Sequence, residues 1–565
     1  MKNNFFKYLI DTFKFSPQKD YEFELSVNDT QNNFNSITPL ENLKQKVFPS
    51  IDVNLEYIKV KYNSLINSDI KIREFDLTAR NKVYKAFIVY IDGMSDSKSI
   101  NRFILHPLML KSRANTFDSS QEVVSTAVAN NITIKRVKKF NLVDYIYSCL
   151  IPLNDTKKTT TFEDIINAIN FGECALFVDT IDTCFISDVK GFEKRSINTP
   201  SNEVVIRGSQ EAFIESIRTN TSMIRRMVNN ENLVIENSTV GTVSKTKCAI
   251  CYIKDIANNN LVSEVKYRIN NLDIDYIISS GQLEELIKEN SKSSIPETLS
   301  TERPDTASTA LLEGKVVAIV NGSPTAIIMP CTFFDFLTSP EDKNLNSNLA
   351  NFLKLLRLLA SLISILLPGL YIAITNFHEE LIPTELLFSI ISSRQPVPIS
   401  IELEIILMVI IFELIHEAGI RVPSPIGPTM SIVGALVLGE AAVSANIVSP
   451  ISIIIVAITG LASFSTPNFL LEFHFRLLRF AFIFLGALLG FLGISIGLFI
   501  YFSVLSSLHS FGVPYLSPYI PATKTNNNGF FVSHIWKQEQ RQDALNTKRK
   551  NKEADISMVW KQGGK

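Results

Sequence analysis

Ionisable side chains interrupt one strongly apolar stretch of this chain, residues 401–443. They are Glu402, Glu404, Glu413, His416, Glu417, Arg421 and Glu440. A charged side chain at the centre of a bilayer costs about 3 kcal/mol or more. The uncharged run 405–412 covers only about 12 Å of an apolar layer about 30 Å thick. These groups must therefore face protein, water or the membrane surface, where carboxylates can line a path for cations.

Helical spacing gathers four of these groups on one face. Offsets of 11, 4 and 4 residues separate Glu402, Glu413, Glu417 and Arg421, and the order Glu417 then Arg421 suits an i,i+4 ion pair. Two interpretations are open at this point. The carboxylates form a stripe that lines a pore, or Glu413, Glu417 and Arg421 form an ion-paired corner that locks helices together at the membrane face.

Glu440 lies among small residues that would let helices approach one another closely. These helix-packing candidates are Gly434, Ala435, Gly439, Ala441 and Ala445. A lone acid in a membrane segment is a functional candidate, and the alternative is a protonated or hydrogen-bonded glutamate in a helix contact. His416 predicts no metal site, because the motif HExxH would need a second His where Ile420 stands.

The composition changes sharply along the 565 residues. Residues 1–350 are mixed and polar, and residues 351–512 are mostly Leu, Ile, Phe, Ala and Gly. This predicts an α/β cytosolic N-terminal region of two subdomains, followed by an all-α multi-pass membrane domain. We expect a flexible leader (1–40), a first α/β subdomain (41–160), a second (161–345), the membrane domain (346–512) and a basic cytosolic tail (513–565).

Several function classes are disfavoured by what the sequence lacks. A net charge of −1 argues against a nucleic-acid partner. We find no GxxxxGK[ST], no GxGxxG, and no nucleophile beside a base, so we expect a non-enzyme without cofactor or metal. Cys248 and Cys251 fall in an alternating run, TVSKTKCAICYIKDI, which predicts a strand with the two thiols on opposite faces.

The apolar half contains five candidate spans. The N-terminus lacks a signal-peptide core, and the tail after residue 521 has nine Lys/Arg against four Asp/Glu, so both ends are expected in the cytosol. An even number of crossings then follows. The last stretch, 475–505, has no turn signal, which favours a single pass; we therefore expect four crossings plus a re-entrant element at 431–447.

The soluble half offers one charged segment, EVVIRGSQEAFIESIRTNTSMIRR, predicted as a helix from about residue 209. Its interaction candidates are Arg207, Glu211, Arg225 and Arg226, and Glu211, Glu215 and Arg218 would share a face. They form an anion or partner site, or a solvated or domain-bridging charged face. The Ser/Thr/Pro-rich segment 288–310 is predicted as a long loop, with TERPD (301–305) tying a subdomain together.

From about residue 80 to 520 the chain resembles the A subunits of GerA-type spore germinant receptors. The blocks that carry the resemblance include TERPDTASTALLEGKVVAIVNGSPTAIIMP, LPGLYIAITNFHEELIPTELL, HEAGIRVPSPIG, SIVGALVLGEAAVSANIVSP and SFGVPYLSP. The family usually has Arg in place of His416, Gln in place of Glu440, and GPREGF in place of GSQEAF at 208–213. A fixed charge at Glu440 is therefore not essential to the family, and Glu440 becomes a selectivity variant.

The resemblance implies a multi-pass protein of the inner spore membrane that acts in nutrient germination. It also implies a transporter-like B subunit that binds the nutrient, a lipoprotein C subunit, and A subunits that assemble into the ion-conducting element. The alternatives are a non-conducting scaffold subunit and a secondary transporter; the transporter would require internal repeats, which we do not see.

Overall fold

The structure is a computed structural model that describes residues 23–25, 46–79, 82–111, 141–191, 199–200, 203–421, 439–523 and 530–552. Two five-stranded sheets lie in its N-terminal part, and a helical region follows. The predicted order of an α/β region before an all-helical region is therefore present in the fold.

The first α/β subdomain is built on an antiparallel sheet in the order β1-β2-β4-β5-β3. The strands are β1 Ile70–Ala79, β2 Lys82–Ile91, β3 Thr156–Thr159, β4 Cys174–Val178 and β5 Cys184–Ser187. One face packs under α1 (Ile51–Lys61) and α2 (Phe162–Asn170). The other face is covered by the helical segments 97–111 and 142–150.

This sheet places the boundary between the two subdomains later in the chain than the sequence predicted. The sequence prediction placed it at residue 160, but β4 pairs with β2 in the register Phe87↔Phe177, and those rings stack at 4.7 Å. Residues 162–187 therefore complete the first core instead of beginning the second. Composition gave no sign of this, because α2, β4 and β5 resemble the elements that follow them.

The second α/β subdomain has a sheet in the order β6-β7-β9-β10-β8. Its strands are β6 Leu233–Val240, β7 Thr246–Ile253, β8 Leu299–Thr301, β9 Val316–Val320 and β10 Ala326–Met329. Its helices are α3 Ile217–Met227, α4 Asn259–Asn270, α5 Ser280–Ile287 and α6 Pro304–Glu313. The β9–β10 hairpin turns at Asn321-Gly322, as the sequence predicts.

Two local predictions in this subdomain are wrong. The segment 288–310 is not one long loop, because β8 pairs with β10 (Ala326↔Thr301) and Pro304 begins α6, where its missing N–H is not needed. The helix predicted from residue 209 begins only at Ile217. The backbone before it is engaged elsewhere: Phe213 N–H donates to Glu302 O at 2.8 Å.

The helical region contains α7 Ser347–Phe377, α8 Thr384–Arg394, α9 Ile401–Arg421, a helical turn at 439–444, α10 Pro450–Ser463 and α11 Phe469–Ser507. Among the described residues, α7 and α11 are long and apolar enough to cross a membrane. Their backbones touch, since a Cβ on Gly369 would lie 2.6 Å from Phe482 O and one on Gly486 would lie 2.5 Å from Gly369 O. Only glycine permits this approach.

The last element, α11, is a helical hairpin and not a single straight pass. Its helix breaks at Gly490, with φ 59° and ψ −138°, a conformation that only glycine adopts readily. His474 and Tyr501 stack at 5.8 Å, although a straight helix would hold them about 40 Å apart. The predicted single pass is therefore wrong. No turn signal marks the reversal in the sequence, because one glycine inside an unbroken apolar run is enough to reverse the chain.

After α11 the chain returns to the second subdomain. The short pair β11 (His509–Ser510) and β12 (Val513–Pro514) docks there. Ser510 Oγ accepts from Cys331 N–H and donates to Glu297 O, and Phe333 N–H donates to Tyr515 O at 2.8 Å. The block SFGVPYLSP (510–518) therefore provides the contacts that hold the chain against the second subdomain after α11.

Candidate intramembrane charge site

Glu413 lies at the centre of a buried ion-paired cluster that joins three helices. Arg476 of α11 donates from Nε to Glu413 Oε2 at 2.7 Å and from Nη2 to the same oxygen. Arg479, one turn further along, reaches Oε1 at 3.3 Å. Arg479 also donates to Ser364 of α7, to its carbonyl at 2.8 Å and to its hydroxyl at 2.9 Å. The cluster therefore ties α9 to α11 and α7.

The cluster is largely shielded from solvent. The side chains of Arg479, Arg476 and Glu413 are 1%, 9% and 19% exposed. Glu472, also buried, stands one turn before Arg476 on α11. Removing one partner of such a pair leaves a buried charge uncompensated, which costs about 3–5 kcal/mol. This arrangement is a lock between helices.

The two acids at the start of α9 have separate partners. Glu402 accepts a hydrogen bond from Asn376 Nδ2 at the end of α7. Glu404 is fully buried, where the Ser449 N–H donates to Oε1 at 2.5 Å and Arg394 Nε lies 3.6 Å from Oε2. Because Ser449 is the N-cap of α10, the carboxylate meets the positive end of that helix.

The remaining candidates on α9 follow Glu413 along the helix. The His416 ring meets the Phe464 ring edge-on at 5.1 Å. Glu417 is partly buried, and the side chain of Arg421 lies outside the described residues. The four-residue stripe is thus divided: Glu402 is paired with α7, and about 16 Å along the helix Glu413 is held by arginines of α11.

One side of the small-residue segment faces away from the rest of the described chain, while Ala442 and Val443 pack against it. Glu440, Ala441 and Ala445 are exposed, and a Cβ added to Gly439 would meet nothing within 4 Å. Gly434 and Ala435 lie outside the described residues. Within the described part of the chain, Glu440 is therefore not drawn into the Glu413 cluster.

In the second subdomain, the charged segment around α3 divides into buried and surface groups. Glu211 and Glu215 precede α3, so they do not share a helix face with Arg218 as predicted. Glu211 instead pairs with Arg226. Arg207 is exposed, and its carbonyl accepts from Asn344 Nδ2 at 2.8 Å.

Arg225 bridges the two subdomains. Its guanidinium is completely buried and donates to Asp69 of the first subdomain, from Nε at 3.0 Å and from Nη2 at 2.9 Å. Beside it, Asn67 binds the β6 backbone, accepting from Ile235 N–H at 3.1 Å and donating to Leu233 O at 3.2 Å. Of the predicted interpretations, this geometry fits the domain-bridging one.

The paired thiols are structural. Cys248 and Cys251 lie on opposite faces of β7, each in a different apolar core, and neither is in a disulfide. Burial raises the pKa of the Cys248 thiol to about 12, so it stays protonated near neutral pH.

Sequence reasoning missed the arginines that hold Glu413. Arg476 and Arg479 were treated as part of an apolar span, although the run EFHFRLLRF contains Glu472, His474, Arg476 and Arg479 within eight residues. Those spacings of three and four place all but His474 on one helical face. Charges at helical spacing in two apolar elements were the available signal for an ion-paired contact between them.

Taken together, the fold and the site define a membrane protein with a large N-terminal α/β region and a helical part locked by buried ion pairs. The chain matches the family described as Bacillus/Clostridium GerA spore germination protein over residues 56–544, and it belongs to that family. It is an A subunit of a germinant receptor, as the sequence resemblance predicted.

Its relatives span most of its length. The chain is 36% identical over 505 residues to spore germination protein KA of Bacillus subtilis, covering 89% of this chain and 88% of the relative. It is 35% identical over 455 residues to spore germination protein GerLA of Bacillus cereus, covering 80% and 87%. An uncharacterized membrane protein of Bacillus subtilis, YfkQ, is 34% identical over 496 residues, covering 88% and 91%.

Among solved structures, it is similar to the N-terminal domain of the A subunit of the Bacillus megaterium spore germinant receptor GerK3. The identity is 28% and the TM-score 0.36, with 51% of this chain and 98% of that chain covered.

Proposed function

We propose that this subunit contributes the oligomeric ion-conducting element of the receptor, and that a nutrient-binding partner subunit gates it. The observation that supports this most directly is the exposure of Glu440 beside Ala441 and Ala445. An acid facing lipid would cost about 3 kcal/mol, so its favourable surroundings are water or another subunit. Small neighbours allow a second copy to approach closely.

For the Glu413 cluster we favour the second interpretation of the sequence, an ion-paired contact that locks helices together. Its carboxylate already accepts from Arg476 and Arg479, and a bound cation would have to displace them. The conduction path therefore runs along the Glu440 face, and the Glu413 cluster holds the helices that support it. Because the family commonly has Gln at this position, Glu440 tunes selectivity and does not create the path.

The proposed setting is the inner spore membrane, with a transporter-like B subunit and a lipoprotein C subunit as partners. Both ends of the chain are proposed to be cytosolic. In support, Asn546 Nδ2 donates to Leu25 O at 3.0 Å, so residues near both ends meet on one side. The hairpin form of α11 also supports an even number of crossings, since it brings residue 507 back beside the second subdomain.

Cation flux tests the proposal. The subunit is reconstituted in liposomes with its B partner, and nutrient-triggered flux is recorded for wild type, Glu440→Gln and Glu440→Lys. We expect Glu440→Gln to conduct with reduced cation preference and Glu440→Lys to lower cation flux. Glu402→Gln, whose carboxylate is bound by Asn376, is the matched control and should behave as wild type.

The opposite outcomes are equally clear. Absence of flux in the wild type would favour the scaffold function. Unchanged flux and selectivity in both Glu440→Gln and Glu440→Lys would remove Glu440 from the path.

A further inference from the structure

A cavity of about 180 Å³ lies where the helical hairpin meets the second α/β subdomain. The loop between α5 and β8 forms one wall, with Ser294 and Ile295. The two halves of α11 form the others, with His474 and Phe482 before the break at Gly490 and Tyr501 after it. An apolar cavity of about 150 Å³ is large enough to hold a benzene-sized molecule.

Two buried polar atoms in the walls have unused hydrogen-bonding capacity. His474 is 4% exposed, and its Nδ1 lies 2.8 Å from Ser294 Oγ. Its other nitrogen, Nε2, has no hydrogen-bond partner among the described residues, and neither does the buried Tyr501 hydroxyl. A buried polar group without a partner costs about 1–3 kcal/mol, so two of them in one cavity wall favour the binding of a molecule that can form hydrogen bonds.

The walls also restrict what the occupant can be. Of the described residues that line the cavity, none is Asp, Glu, Lys or Arg, so a charged ligand would be buried without a counter-charge, which is costly. Leu478, Ala481 and Val504 supply an apolar surface. A single hydroxyl both donates and accepts, so it can satisfy the imidazole nitrogen and the phenol at once.

We propose that this cavity is a binding site for a small uncharged molecule that is mainly apolar and carries one hydroxyl group. The molecule reaches it from the lipid side, where Ile500 stands 54% exposed at the cavity mouth. The site is independent of the ion-conducting function proposed above.

Occupancy of the site would be transmitted to the soluble region through the 289–297 loop. Glu297, in this loop, accepts from the backbone N–H groups of Glu289 at 2.7 Å and Asn290 at 3.1 Å. Tyr515 Oη donates to Pro296 O at 2.8 Å. Because Ser294 of this loop is hydrogen-bonded to His474 Nδ1, a ligand that fixes the His474 ring also strengthens the contact between the loop and the hairpin.

The test uses 19F NMR of the full chain in detergent micelles, with 4-fluorobenzyl alcohol as the probe and 4-fluorotoluene as its partner lacking the hydroxyl. We expect a saturable protein-bound resonance for the alcohol, distinct from the micelle-partitioned one. The alcohol should bind roughly 2- to 10-fold more tightly than fluorotoluene, the contribution of about one hydrogen bond.

Tyr501→Phe is the informative variant, because the hydroxyl it removes has no partner in the described part of the chain. It should leave the thermal midpoint of the protein unchanged or raised while weakening the preference for the alcohol, because only the His474 hydrogen bond remains. Ala481→Phe, which fills the cavity, should abolish the bound resonance. A bound resonance that survives Ala481→Phe, no saturable binding of the alcohol, or an unchanged preference in Tyr501→Phe would each overturn the proposal.

Discussion

Replacing Glu413 by Gln should weaken the attachment of α9 more than the same neutralisation of Glu402 on that helix. The change keeps the shape of the side chain and removes its charge. The Gln amide oxygen can still accept a hydrogen bond, but Arg479, 1% exposed, and Arg476, 9% exposed, both lose the carboxylate with which they pair among the described residues. Stranding a buried charge in this way costs about 3–5 kcal/mol, so the free energy of unfolding should fall by that amount.

The control lies on the same helix. Glu402→Gln also neutralises a carboxylate, but Glu402 contacts a neutral amide, that of Asn376, and is only partly buried. Loss of one such hydrogen bond costs about 1 kcal/mol. A second variant, Glu413→Gln with Arg479→Met, removes one stranded charge and should recover part of the loss, because apolar replacement of a buried pair is often neutral.

Unfolding of the purified full chain by SDS titration in mixed micelles, followed by intrinsic fluorescence, measures these differences. The expected order of stability is wild type, then Glu402→Gln, then the double variant, then Glu413→Gln. Equal losses for Glu402→Gln and Glu413→Gln, or a double variant weaker than Glu413→Gln alone, would refute the conclusion that buried charge pairing locks α9.

Other predictions concern the subdomain contact, pH and the hairpin. Arg225→Ala strands Asp69 and should lower the free energy of unfolding, measured by denaturant titration, by about 3–5 kcal/mol. A variant that resists proteolysis at the contact between the subdomains as well as wild type does would contradict this. Burial raises the pKa of Glu297 to about 7 in the folded protein, so its stabilising contribution is complete below about pH 4.5 and is lost as pH rises through about 7. Relative to Glu297→Gln, the free energy of unfolding of the wild type should fall by about 3 kcal/mol across that pH range. Parallel pH profiles of stability for the two proteins would be evidence against this. Gly490→Ala forces a side chain into a glycine-only conformation and should cost about 1–3 kcal/mol, whereas Gly439→Ala, in open space, should not lower the thermal midpoint; equal effects would exclude a strained break.

Periodicity and turn chemistry were sufficient to predict the local elements. The β9–β10 hairpin, β7 with its oppositely facing thiols, α2 and α7 all follow from alternation, helical spacing or a turn signal. These features depend on neighbours in sequence, which is why one sequence suffices. The division into subdomains did not follow, because the pairing of β4 with β2 brings together residues about ninety positions apart.

The charge site shows the same limit in chemical terms. Spacing predicted that Glu413 avoids lipid, but spacing within α9 indicates only partners on α9, such as Arg421. The actual partners, Arg476 and Arg479, lie more than sixty residues away. The hairpin was missed for a different reason: one glycine reverses the chain inside an apolar run, without the polar turn residues that mark a loop in water.

The return of the C-terminal segment to the second subdomain sets an order for the assembly of the protein during synthesis. Leu545 is buried in one of that subdomain's cores, and Arg541 Nε donates to Leu312 O, 229 residues earlier in the chain. At roughly 5–20 residues per second, a ribosome needs about 10–45 s to cover that separation. During this interval the hairpin and the other membrane helices must be inserted while the second subdomain still exposes the apolar surface that Leu545 will cover. A chain truncated before Leu545 would leave that apolar surface exposed, and proteases that recognise exposed apolar segments would therefore degrade unfinished chains.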